Sequence, residues 1–167
     1  MGFLLDQLWC TSGWLLREAG TVGSPVVIED AGTVLRAVVT LPGCAAGRAL
    51  AAFTDPVLLA RWWGGELAAD LVVGGQYLVR FPSLHRALTG RVVSYEPPTV
   101  LEFIWAWDGE DEPGRTVTVT AGQAQPATLT VVHGPYGDAV SERAARAEHR
   151  AGWEHFLPRL AATVLGR

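Results

Sequence analysis

Val100-Leu101-Glu102-Phe103-Ile104-Trp105-Ala106-Trp107, entered through Pro97-Pro98-Thr99, is the stretch on which the fold turns. The proline pair ends whatever precedes it, and neither glycine nor proline interrupts the run that follows. Its β-branched and aromatic content is that of a strand. Alternation puts Leu101, Phe103, Trp105 and Trp107 on one face and Glu102, Ile104 and Ala106 on the other. The ring-bearing face predicts a core.

Working outward, similar strand patterns cover residues 70–73, 76–81, 87–95, 115–120 and 128–133. Gly74-Gly75, Pro82-Ser83, residues 108–114 and residues 122–126 separate them, with turn chemistry suited to antiparallel hairpins. Tyr77, Val79 and Phe81 share a face, as do Leu129, Val131 and His133, and Tyr136 follows soon after. Upstream, residues 26–28 and 34–41 are strand-like, with Asp30-Ala31-Gly32 between them. An alanine-rich helix over 45–53 comes next. Thr54 or Asp55 then caps a second helix that has Pro56 at its first position and ends at Gly64-Gly65. The chain closes with a long helix starting near Ser141. Its apolar positions include Ala145, Gly152, Trp153, Phe156, Leu157, Leu160 and Val164, a single buried stripe. Pro158 inside it removes the bond to the Glu154 carbonyl and predicts a kink.

Grouped strands followed by a helix make an α+β fold. The expectation is a curved antiparallel sheet of six to seven strands around the terminal helix, with two short helices after the first strand. Residues 1–24 read as a partly helical extension, and 25–167 as one domain. The extension either packs on the domain, lids a cavity or contacts a second copy to make a homodimer.

The chain has 167 residues and a net charge of -4, with no basic stripe, so nucleic acid is not an expected partner. All 13 Lys and Arg positions are arginine, which excludes a lysine Schiff base and lysine-bound pyridoxal phosphate. Cys10 and Cys44 make no disulfide framework, and a reduced, cytoplasmic protein is expected. The apolar start lacks a basic leader and carries Asp6, so it reads poorly as a signal peptide. No apolar run approaches the ~20 residues that span a bilayer, and no membrane association is expected.

The ordered set Phe53-Thr54-Asp55-Pro56, Arg61-Trp62-Trp63-Gly64, Gly74-Gly75-Gln76-Tyr77, Gly90-Arg91-Val92, Pro97-Pro98 with Leu101, Leu129 to His133, and Gly152-Trp153 resembles the START/Bet v 1-like (SRPBCC) superfamily. Within it, the pattern is most similar to the group named after the activator of Hsp90 ATPase, over about residues 33–165. The resemblance implies a helix-grip fold, a curved sheet wrapped on the terminal helix, with two short helices closing one end.

Such a fold leaves room for a small hydrophobic or aromatic molecule between sheet and helix. The expected lining is Tyr77, Phe81, Phe103, Trp105, Trp107 and His133 from the sheet, with His149, Trp153 and Phe156 from the helix. The competing account of each ring is plain core packing. Trp62 and Trp63 are read as a structural plug. No metal site is expected, because His85, His133, His149 and His155 show no ligand spacing, and no cofactor is expected. Arg80 and Glu102 face outward and are expected to pair across strands; a register slip of one residue would instead turn both inward as site candidates.

Three functional classes follow. The first is a binding module for an apolar guest. The second is an enzyme like the polyketide cyclases of the wider superfamily, with His133, Tyr77 and Tyr136 moving protons. The third covers natural-product sequestration or an Hsp90-type co-chaperone role, both implied by the resemblance. No Gly-x-Ser-x-Gly elbow, phosphate loop or Rossmann fingerprint occurs, so nucleophile-based hydrolysis is not supported.

Overall fold

A computed structural model describes residues 24–110 and 114–167. In chain order the elements are β1 (Val26–Ala31), β2 (Val34–Leu41), α1 (Ala46–Thr54), α2 (Pro56–Trp63), β3 (Glu66–Ala69), β4 (Gln76–Phe81), β5 (Arg86–Glu96), β6 (Val100–Trp107), β7 (Arg115–Ala121), β8 (Ala127–Gly134) and α3 (Val140–Leu165). All strands join one antiparallel sheet of eight, in the order β1-β2-β8-β7-β6-β5-β4-β3. From β2 the chain passes through α1 and α2 to the far edge, then returns strand by strand until β8 pairs with β2. The helix-grip architecture is therefore present, with a sheet one strand wider than expected and the short helices placed after the second strand.

Alternation sets which face is buried. On β2, Leu35, Ala37, Val39 and Leu41 are buried, and on β8 Ala127, Leu129, Val131 and His133 are buried. On β6 the inward set is Leu101, Phe103 and Trp105. α3 covers this face with Trp153, Leu157, Leu160, Ala161 and Val164, a stripe at helical spacing. The same inward residues merge with the helix stripe into one apolar core. Pro158 lies on the exposed side of α3, which continues as one helix through it.

Local chemistry explains the boundaries. Asp55 caps α2, its carboxylate accepting from the N–H groups of Val57 and Leu58 at 2.8 and 3.0 Å, with Pro56 following. Gly64 ends α2 in the left-handed region, at φ 77°. Arg48 of α1 donates to the carbonyl of Val164 at 2.8 Å, satisfying the end of α3. Arg146 and Arg150 of α3 reach back to the β1–β2 hairpin. Arg146 bonds Asp30 and the carbonyls of Gly32 and Val34, and Arg150 bonds Asp30 and the carbonyl of Ile28.

Two sequence expectations are corrected. Residues 70–73 are not a strand. They form the tip of the β3–β4 hairpin, closed by the Asp70 N–H donating to the Gln76 carbonyl at 2.8 Å, and Val72 and Val73 stand in solvent. The β-branched pair imitates a strand locally, but pairing with β4 falls to Glu66–Ala69. Arg80 and Glu102 do not meet, because β5 lies between their strands. Arg80 stands opposite Glu66, and Glu102 accepts from the Thr118 hydroxyl at 3.1 Å.

Candidate functional site

The concave face of the sheet and the middle of α3 bring together a cluster of rings. Trp105 of β6 is at its centre, with ring centroids 5.4 Å from Trp63, 5.6 Å from Trp153, 5.9 Å from Trp107, 5.0 Å from His133 and 5.6 Å from His149. Rings from the sheet and from α3 thus approach one another across the space expected as a hollow. Trp63, read from the sequence as a plug, also touches Phe81 and Trp153 and is part of this cluster. Trp107 and His149 flank Trp105 and are only partly buried, so the cluster reaches solvent on that side. Arg86 lies over the Trp107 ring at 4.6 Å, a cation–π contact at this margin.

A polar line enters the cluster from the start of α3. Glu142 pairs with Arg115 of β7, and the Arg115 guanidinium lies 5.0 Å from the Tyr136 ring centre. The Tyr136 hydroxyl is 2.8 Å from His149 Nδ1. His149 stacks on His133 at 4.4 Å with the rings 24° apart. The Trp153 indole N–H donates to His133 Nδ1 at 3.2 Å. Nε2 of the fully buried His133 and Nε1 of Trp105 are also buried, and neither has a hydrogen-bond partner among the described residues.

Burial sets the protonation states. Desolvation, then the neighbouring His149 and Arg115, hold His133 well below the ordinary imidazole range. His149 is lowered to about 4, by burial first and Arg115 second, against the opposing pull of Glu142. Burial pushes the Tyr136 phenol up, opposed by Arg115 and Arg146. Both imidazoles and the phenol are therefore neutral at pH 7.

The other sequence candidates fall in three places. Phe81 borders the cluster through Trp63 and Trp107. Tyr77 and Phe103 stack on one another at 4.1 Å, and the Tyr77 hydroxyl donates to the carbonyl of Phe53 at 2.7 Å. Burial pushes the Tyr77 phenol up as well. Phe156 faces Trp62, at 6.5 Å, rather than the imidazole pair. Sequence reasoning missed Arg115 and Glu142. A helix-start acid and a strand-start arginine carry no local sign of pairing, and only the β7–α3 approach joins them.

A surface groove of about 490 Å³ lies elsewhere, lined by Pro56, Val57, Ala60, Arg61, Glu66 and Leu67. It holds no aromatic side chain and no buried polar group, so the chemistry points to the ring cluster despite the groove's volume. Among the described residues no set of three His, Cys, Asp or Glu is placed to hold a metal ion, and no helix is long and apolar enough to cross a membrane. Cys44 is a buried free thiol. Cys10 and the proposed dimer contact of the N-terminal extension lie outside the described residues.

Comparison with known proteins agrees with the fold. The family described as activator of Hsp90 ATPase homolog 1-like protein matches residues 45–165. DynU16, a protein of the dynemicin biosynthetic locus, is 30% identical with a TM-score of 0.66, over 78% of this chain and 46% of that one. This chain thus spans less than half of DynU16. CV1439 from Chromobacterium violaceum is 24% identical with a TM-score of 0.63, over 81% of this chain and 99% of that one. CalU16 from Micromonospora echinospora is 20% identical with a TM-score of 0.61, over 83% of each chain. No protein of curated function matches the chain.

Proposed function

The chain belongs to the activator of Hsp90 ATPase homolog 1-like family, and on that premise we propose that it binds a small, flat, apolar molecule at the ring cluster between β6, β8 and α3. The observation that carries this reading is the convergence of Trp63, Trp105, Trp107 and Trp153 on the two stacked imidazoles. Rings of this kind give large contact area with little loss of side-chain freedom, and a few polar groups among them orient a guest. The partly exposed rings of Trp107 and His149 are the side of entry. The likeness to DynU16 supports a guest drawn from a biosynthetic pathway.

The test is a titration with naphthalene and 9,10-anthraquinone, followed by tryptophan fluorescence and thermal melting. Binding at the cluster quenches emission and raises Tm, since a ligand at 100 times its Kd stabilises by about 2.7 kcal/mol. Trp107→Ala weakens binding at least about tenfold while leaving the melting curve of the free protein within a few degrees. If neither compound moves emission or Tm, the cluster is simply core. Native mass spectrometry of freshly purified protein offers an independent route, through a co-purified guest.

A further inference from the structure

We infer that the ring cluster selects a guest carrying a hydrogen-bond acceptor, a neutral ketone or quinone oxygen, which receives the indole N–H of Trp105 and the imidazole Nε2–H of His133. This rests on the reading that a guest binds at the cluster, and adds the polarity of what is recognised there.

The inference follows from which groups can donate. An indole nitrogen only donates, so the Trp153 contact makes His133 Nδ1 the acceptor. A neutral imidazole whose Nδ1 accepts carries its proton on Nε2. Burial and the nearby Arg115 keep the ring neutral. Nε2–H is then a donor in a fully buried side chain with no partner among the described residues. Trp105 Nε1–H is a second such donor, on a ring whose centroid lies 5.0 Å from that of His133.

Unpaired buried donors are costly, and these two need the same thing, a lone pair. Neither has one to give, so a hydroxyl or amine that must donate is not matched. A cationic guest is disfavoured by Arg115 and Arg146, both close to Tyr136. Full anions lose their hydration among apolar rings, and the guanidinium of Arg115 is already paired with Glu142. A neutral carbonyl oxygen has two lone pairs and little desolvation cost. The same wiring prevents His133 from acting as a general base: Nδ1 is occupied and Nε2 already holds the proton. Its role is to orient a carbonyl.

The experiment compares 1-indanone, indane and 1-aminoindane, which share a skeleton and differ in one group, by fluorescence titration of the intact protein. In parallel, ¹⁵N-resolved NMR of the imidazole and indole nitrogens reads the tautomer of His133 and the environment of Trp105 Nε1–H. Indanone is expected to bind at least about tenfold more tightly than indane, although indane is the more hydrophobic. It also shifts the Trp105 Nε1–H and His133 Nε2–H resonances, and 1-aminoindane binds most weakly. Trp105→Phe, which removes the indole N–H, reduces the preference for indanone over indane to a few-fold. An Nδ1–H tautomer in the free protein overturns the inference whether or not the variant folds. Equal affinity for indanone and indane overturns it too, leaving apolar binding intact with water serving the two donors. If none of the three binds, both the inference and the proposed function fall.

Discussion

Tyr77 and His133 are both fully buried, yet only His133 keeps a buried nitrogen without a partner among the described residues. The Tyr77 hydroxyl is committed to the Phe53 carbonyl and its ring to Phe103. Tyr77→Phe is therefore expected to destabilise the protein by about 1–3 kcal/mol, since the buried carbonyl loses its side-chain donor. Urea denaturation measures this, and aromatic-ligand affinity should stay the same. A drop in affinity without loss of stability would return Tyr77 to the binding surface. Alternation along β4 and β8 was enough to turn both residues inward. Whether a buried polar atom has a partner depends on residues 20 or more positions away, and no local pattern carries that. Trp153 shows the same limit: its place on the helix stripe was legible, but its bond to His133 was not.

At the scale of elements, β6 runs over the eight residues that periodicity marks, and Asp55-Pro56 starts α2 as the capping rule requires. Caps and alternation are properties of a few neighbouring residues, so they survive without tertiary knowledge. The misread hairpin tip at 70–73 is the converse, where strand-like composition meets a partner strand already paired elsewhere. The pairing of β5 with β6 depends on another local detail. β5 and β6 lose regular register near Val92 and Ser94, and a Cβ built on Gly90 would stand 1.8 Å from the backbone oxygen of Ile104. No side-chain rotation relieves a clash with backbone. Gly90→Ala is expected to cost about 3 kcal/mol or more, or to prevent folding. Circular dichroism and urea midpoints test it; a variant as stable as the parent would mean the two strands separate there freely.

The whole molecule carries two buried imidazoles that are neutral when folded, and this sets its response to acid. His149 is lowered to about 4 from an ordinary value of 6.5, and burial holds His133 well below that ordinary value too. In the unfolded chain both take a proton near pH 6.5, whereas the folded protein refuses it. Between pH 6.5 and about 4 the unfolded state therefore binds more protons, and stability falls as pH falls. His149 alone contributes on the order of 3 kcal/mol to this loss. Glu142 acts with the same sign at lower pH. The Gly137 N–H bond and then Arg115 hold its carboxyl below the usual range, and that contribution disappears as the carboxylate protonates. Urea midpoints at pH 7, 6, 5 and 4.5 should decline steadily. A flat profile would place the imidazoles in contact with water in the folded state and remove the buried cluster.

Local rules, then, carried the architecture. Alternating burial, a capped helix start, glycine stops and one apolar helical stripe are each settled by residues close in the chain, and their order leaves few ways to form a single core. The ring cluster is a different kind of fact. Which rings meet, that Trp63 joins them from α2, that Arg115 finds Glu142 and that Trp153 occupies one nitrogen of His133 all follow from how far the sheet curves and where α3 comes to rest. Those are sums over many weak contacts between distant segments, and only the folded chain evaluates them.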